Sequence, residues 1–127
     1  MDNYKGDIIE ESLDNKEVLK KVKILSTRVE KVTEKHQTPW LKQWTLHFAE
    51  VPENHAKEIA QEISNSLDPK QKGSWYADFK NNSHHYIIFH NKIFYVKRNN
   101  KVELDGVRKY GISLGIPDYQ LPSVETN

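Results

Sequence analysis

Cysteine does not occur in this chain, so disulfide staples, thiolate metal sites and thiol nucleophiles are excluded together. Long apolar runs are missing too, and nothing approaches the roughly 18 consecutive apolar residues of a membrane-spanning helix. Glycine and proline are sparse, at five each, and nowhere cluster into a linker. The glycine patterns of phosphate and dinucleotide loops, the zinc-protease helix and the nucleophile elbow are not found. Gly111-Ile-Ser-Leu-Gly115 has the letters of G-x-S-x-G, but it closes an expected helix and does not join a strand to a helix, which makes Ser113 a poor nucleophile. Neither sign of charge dominates, with 19 basic and 18 acidic residues and a pI near 7.9. That is well below the strongly basic footprint of most nucleic-acid-binding domains.

What is present fits one domain with a single core, over residues 1–121, followed by a flexible tail at 122–127. The opening Met1-Asp-Asn-Tyr-Lys-Gly-Asp7 is acidic and lacks the apolar run of a secretory leader, so a cytoplasmic protein without a membrane partner is expected. Charge alternates in blocks. Residues 20–42 carry seven bases and two acids, and residues 80–109 the same, while the segments before and between them are acidic. The two basic blocks make one patch only if they meet in space.

Periodicity predicts an α+β fold: an antiparallel sheet of about five to six strands, packed on one face by an amphipathic helix over 53–67, with a C-terminal helix. A first strand is expected over Asp7–Leu13, then a short helix around Lys16–Lys21 capped by Asp14 or Asn15. Ile24–Glu34 and Gln43–Val51 read as an antiparallel pair, the second with Trp44, Leu46 and Phe48 on one face. Between them, Pro39 breaks regular structure, and Trp40 and Trp44 bracket Leu41, a loop tryptophan there being a lid over the core, the favoured reading, or an exposed anchor. Pro52 suits a helix start, and Ala56, Ile59, Ala60, Ile63 and Leu67 form one apolar stripe ended by Asp68-Pro69. The last helix covers Glu103–Leu114, with Leu104, Val107, Tyr110 and Leu114 inward and a stop at Gly115-Ile-Pro117.

The densest aromatic stretch, "WYADFKNNSHHYIIFHNKIFYVKR" over Trp75–Arg98, reads as three strands. A turn at Asn91-Lys92 pairs Phe89 with Phe94 and Ile87 with Val96. A three-residue loop, Asn81-Asn82-Ser83, pairs Trp75 with Phe89 and Ala77 with Ile87. That choice gathers the apolar residues onto one buried face, whereas two- or four-residue loops set them beside Tyr86, Ile88 or His90. The buried face is then Trp75, Ala77, Phe79, Ile87, Phe89, Phe94 and Val96. The reverse face carries Tyr76, Asp78, Lys80, His84, Tyr86, Ile88, His90, Ile93, Tyr95 and Lys97.

From that reverse face the expected binding residues are Tyr76, Lys80, His84, Tyr86, His90, Tyr95 and Lys97. The leading expectation is a non-enzymatic binding or assembly module that self-associates as a homo-oligomer through this aromatic face, with Ile88 and Tyr95 central to it. Single-stranded nucleic-acid binding is the alternative, with tyrosines stacking on bases and Lys80 and Lys97 on phosphates. A small enzyme using Asp78 with His84 or His90 is the third reading. No catalytic residue, metal ligand or cofactor is assigned. His84 and His85 alternate across the sheet, and His84 and His90 lie roughly 20 Å apart along a strand, too far to share an ion. The phrases "TPWLKQWTLH", "WYADFKN", "HHYIIFHNKIF" and "YGISLGIPDYQL" resemble a small uncharacterised prokaryotic family with no assigned activity, over about residues 5–121. The resemblance implies a compact α+β domain and brings no catalytic residues with it.

Overall fold

The computed structural model describes residues 2–36, 38, 41–68 and 75–124. Pro39, Trp40, Pro69 and the last three residues of the expected tail lie outside these. Six strands, β1 (Tyr4–Ile9), β2 (Lys23–Lys31), β3 (Gln43–Val51), β4 (Tyr76–Lys80), β5 (His84–Phe89) and β6 (Lys92–Lys97), form one antiparallel sheet in the order β2-β3-β1-β4-β5-β6. Two helices, α1 (Ala56–Ser66) and α2 (Lys101–Ser113), complete the expected α+β architecture. No helix among the described residues is long and apolar enough to cross a membrane.

Local chemistry sets most of these boundaries. Asn15 caps the 3₁₀ segment Lys16–Lys21, its side chain accepting from the Glu17 amide. Asn100 caps α2, accepting from the Glu103 amide, and Gly115 ends it at φ 92°, where the Ile116 amide reaches back to Gly111 O in a Schellman closure. The first strand is shorter and earlier than expected, because residues 10–12 coil into a 3₁₀ turn in which Ser12 Oγ donates to Ile9 O. Leu13 then makes an isolated bridge to Leu67 at the end of α1.

Each face of the sheet has its own helix. Helix α1 buries Ala56, Ile59, Ala60 and Ile63 against Tyr4, Ile8, Ala49, Val51, Ala77, Phe79 and Ile88. Each large side chain so buried contributes about 1.5–3 kcal/mol. Helix α2 covers the β4–β6 half of the opposite face. There Leu104 and Val107 pack with Ile87, Phe89 and Val96, and Tyr76, Phe94 and Tyr110 border them.

This arrangement corrects the expected sorting of the central strands. Phe79 lies opposite Tyr86 and Ala77 opposite Ile88, so Asn82-Ser83 forms a two-residue loop, one residue shorter than expected. The slip turns β4 over relative to β5. Trp75, Ala77 and Phe79 are buried, as expected, but Ala77 and Phe79 share the α1 face with Tyr86, Ile88, Ile93 and Tyr95. Ile87, Phe89, Phe94 and Val96 instead share the α2 face with Tyr76 and Asp78. The second hairpin turns at His90-Asn91, with Asn91 at φ 58°, and pairs Ile87 with Phe94. Its shift of two residues preserves the expected faces of β5 and β6.

Asn81 dictates the register. Its backbone amide donates to His84 O at 3.0 Å, and its side-chain oxygen accepts from the amides of Ser83 (3.0 Å) and His84 (2.9 Å). Its Nδ2 donates to Asp2 O, and its carbonyl accepts from Arg98. An Asx-type turn satisfied on every side outweighs the apolar gain of the longer loop, since either register buries its residues under one helix or the other.

The N-terminal strand is equally constrained. It lies between β3 and β4, and a Cβ at Gly6 would sit 1.9 Å from Asp78 O and 2.6 Å from Phe79 Cα. Only glycine permits this approach. For the hairpin, Asn81→Ala is expected to lower stability by about 2 kcal/mol, because the part-buried amides of Ser83 and His84 and the Asp2 carbonyl lose their partner at once. A urea-unfolding midpoint shifted by less than the equivalent of about 0.5 kcal/mol would show that the turn does not set the register.

Candidate ligand cleft beyond the end of helix α2

Helix α2 leaves the β2-β3-β1 half of its face bare, and there the sheet floor is polar. Arg28 and Glu30 project from β2, Leu46 from β3, Asp7 and Ile9 from β1, and Tyr76 and Asp78 from β4. With Trp44, Trp75, Tyr119 and Gln120 they line a cleft of about 420 Å³. Alternation along each strand puts the floor residues on one side of the sheet.

The C-terminal segment roofs one end. After α2 the chain runs through a 3₁₀ turn, Asp118–Gln120, back over the sheet. Gln120 O accepts from the Tyr76 hydroxyl, Gln120 Nε2 donates to Lys35 O at 2.9 Å, and the Tyr119 hydroxyl also donates to Lys35 O. Arg108 holds the strap from the helix side through Leu121 O (3.2 Å), Pro122 O (3.1 Å) and the Asp118 carboxylate.

Charges cross the floor in a row. Arg28 approaches Glu30 at 3.4 Å and Asp7 at 3.6 Å. The pairing of Lys5 with Lys80 brings Asp7 beside Asp78, and Asp78 Oδ2 is hydrogen-bonded to His85 Nε2 at 2.6 Å. Desolvation raises the Asp7 pKa most; the Arg28 guanidinium opposes the rise and the Asp78 carboxylate adds to it. Tyr76 is likewise pushed upward, chiefly by burial.

Two of the lining residues each hold a buried polar atom with no hydrogen-bond partner among the described residues, Asp7 Oδ1 and Trp75 Nε1. The neighbouring tryptophan makes the contrast: Trp44 packs edge-on to Trp75 at 5.5 Å, yet its own Nε1 donates to Thr38 Oγ1 at 2.9 Å. Buried polar groups are almost always paired, so two orphans in one cleft call for an explanation. Trp44 is buried, and Trp40, the loop tryptophan, lies outside the described residues.

The expected binding residues do not share a surface. Tyr76 and Lys80 stand on the α2 face; His84, Tyr86, Tyr95 and Lys97 stand on the α1 face; His90 lies in the β5–β6 turn. The pairing expected of Asp78 is also corrected. Its histidine is His85, because the one-residue slip puts His84 and His90 out of reach across the sheet. Ile88 is 0% exposed and belongs to the core, not to a surface.

What remains of the aromatic face is a ladder. His84 stacks on Tyr95 at 4.6 Å, Tyr95 meets Tyr86 at 4.5 Å, and Tyr86 meets Tyr4 at 5.2 Å. Beside it, Lys57, Glu58, Ala60 and Gln61 of α1 border an open groove with Tyr86, Ile93 and Tyr95. The two basic blocks do not merge around either surface, since they centre on the opposite edges of the sheet, β2 and β6.

Asp7, Arg28 and Trp75 escaped sequence reasoning as site residues. They converge only through the placement of β1 inside the sheet, for which no local pattern exists. Comparison of the chain with protein-family models, with curated proteins and with solved structures gives no match.

The raised pKa of Asp7 sets a sign for pH. A carboxyl that holds its proton more tightly when folded favours the folded state at low pH and loses that contribution as pH rises through its folded pKa. Asp7→Asn is therefore expected to be stabilised relative to the parent at neutral pH, with the advantage vanishing below the ordinary carboxylate range. Parallel thermal unfolding across pH checks this, and a penalty for Asp7→Asn at neutral pH would mean that Arg28 outweighs desolvation.

Proposed function

We propose that this protein is a small binding module whose site is the cleft between the sheet and the C-terminal strap, and that it takes one small molecule there. The observation that carries the reading is that two residues lining one cleft, Asp7 and Trp75, each hold a buried polar atom, Oδ1 and Nε1, without a partner among the described residues. A ligand that accepts from the indole and meets the carboxylate satisfies both. The setting agrees with what small-molecule sites require: a concave space of a few hundred Å³, aromatic walls and a few convergent polar groups, one with a perturbed pKa.

The test is a fragment screen by two-dimensional NMR. Binders are expected to shift the Trp75 indole N–H resonance, and Trp75→Phe is expected to weaken them by about fivefold, the worth of roughly one net hydrogen bond. Binders that shift only groove residues near Tyr95, or bind Trp75→Phe equally well, would remove the reading.

The groove beside α1 supports a second reading, self-association through Tyr95, which is 50% exposed and stacked on His84. Tyr95→Asp is then expected to shift a dimer to monomer in sedimentation equilibrium, and a parent that stays monomeric at high concentration would dismiss the idea. Single-stranded nucleic-acid binding is the weaker reading, because Tyr76 and Lys80 stand on the opposite face from Tyr86, Tyr95 and Lys97.

A further inference from the structure

We infer that the ligand of this cleft is a small organic cation, a protonated amine or amidine that also carries an acceptor oxygen. The inference rests on the reading of the cleft as a binding site and adds the class of ligand.

Charge comes first. The cleft presents three carboxylates, Asp7, Glu30 and Asp78, against one guanidinium, Arg28. That guanidinium is already shared between Glu30 at 3.4 Å and Asp7 at 3.6 Å; Glu30 also meets His36 Nε2 at 3.3 Å, so Asp7 is the carboxylate left least compensated. Asp78 turns to His85 on its far side. An anion entering here meets three carboxylates, whereas a cation relieves them.

The shape of the acid set argues against a bare metal ion. Among the described residues no three Asp, Glu or His side chains converge as metal ligands. The carboxylates lie in a row along the floor, which suits an extended molecule better than a point charge.

The orphaned atoms complete the specification. Asp7 Oδ1 calls for a donor, and an ammonium or amidinium N–H makes the stronger, charge-assisted bond. The Trp75 indole is 6% exposed and its Nε1 has no acceptor, so the ligand must bring an oxygen. Trp44, Trp75, Tyr76 and Tyr119 add aromatic walls, whose faces attract cations.

The test compares three probes of one shape by calorimetry and by the Trp75 indole resonance: tyramine, its uncharged counterpart 4-propylphenol, and 3-(4-hydroxyphenyl)propionate. Tyramine is expected to bind at least about tenfold more tightly than 4-propylphenol, and the propionate weakest. Asp7→Asn should abolish the preference for the cation while retaining the parent's unfolding cooperativity, and Glu30→Gln should reduce it. Tyramine affinity should also rise with pH from the acid side towards neutrality. Asp7 must give up its proton to pair with the ammonium, in the presence of Arg28, Glu30, Asp78 with His85, and Tyr76.

Equal binding of 4-propylphenol or the propionate at the Trp75 resonance would overturn the cation inference and leave the cleft standing. Silence from all three probes while other fragments shift that resonance would do the same. If no fragment shifts it either, the binding reading falls with the inference.

Discussion

The pairing of β4 with β5 decides which side chains meet which, and Asn81 decides that pairing. With one residue more in the loop, Asp78 would leave His85 and Tyr76 would leave the strap. Ala77 and Phe79 would abandon α1. The turn's bonds are short-range and individually modest, but a sheet multiplies their effect, since slipping one residue transfers a whole strand from one helix to the other. Arg98 and Asp2 brace the same loop from β6 and the N-terminal segment, so the register is held by contacts from both sides.

Hydrophobic alternation could not have revealed this. It marks a buried face reliably when the other face is wet, and in β5 neither face is wet. Ile87 and Ile88 are adjacent and both fully buried, one beneath each helix. Consecutive apolar residues in β5, "YIIF", were the sign of a strand covered on both sides. Read as a one-sided strand, they made Ile88 a surface residue and gathered Tyr76 with Tyr86. Signals with a local mechanism were legible: the apolar stripe of α1, the inward set of α2, the Asn15 cap, the glycine stop at Gly115, and β3 with Trp44 and Leu46 together. The antiparallel neighbours β2–β3 and β4–β5–β6 were legible as well, whereas the register of the central hairpins and the place of β1 between β3 and β4 were not.

The cleft follows from the unequal cover of the two faces. Thirteen residues of α2 shield the β4–β6 half and no more. The remaining half would lie open but for the strap that Arg108, Tyr76 and Lys35 draw across it. A strap is a thin cover. It closes one end with a tyrosine and a glutamine and leaves a gap over β1 and β2, where the floor can therefore be charged. The same strand positions beneath a helix would have demanded leucine or valine in place of Arg28 and Asp7.

Fold and site are joined at one pair of neighbours, Gly6 and Asp7. The missing side chain at Gly6 lets β1 close on β4, with the Asp78 carbonyl where a Cβ would stand. That closeness brings the next residue, Asp7, alongside Asp78, and puts two carboxylates side by side on a partly desolvated floor. Placing them so costs free energy, which appears as the raised pKa of Asp7 and is offset only partly by Arg28. Packing alone would favour removing the charge, since an asparagine fills the same space without the electrostatic penalty. A carboxylate at that position, beside an indole whose donor has no acceptor, is the kind of local cost that a bound cation turns into affinity.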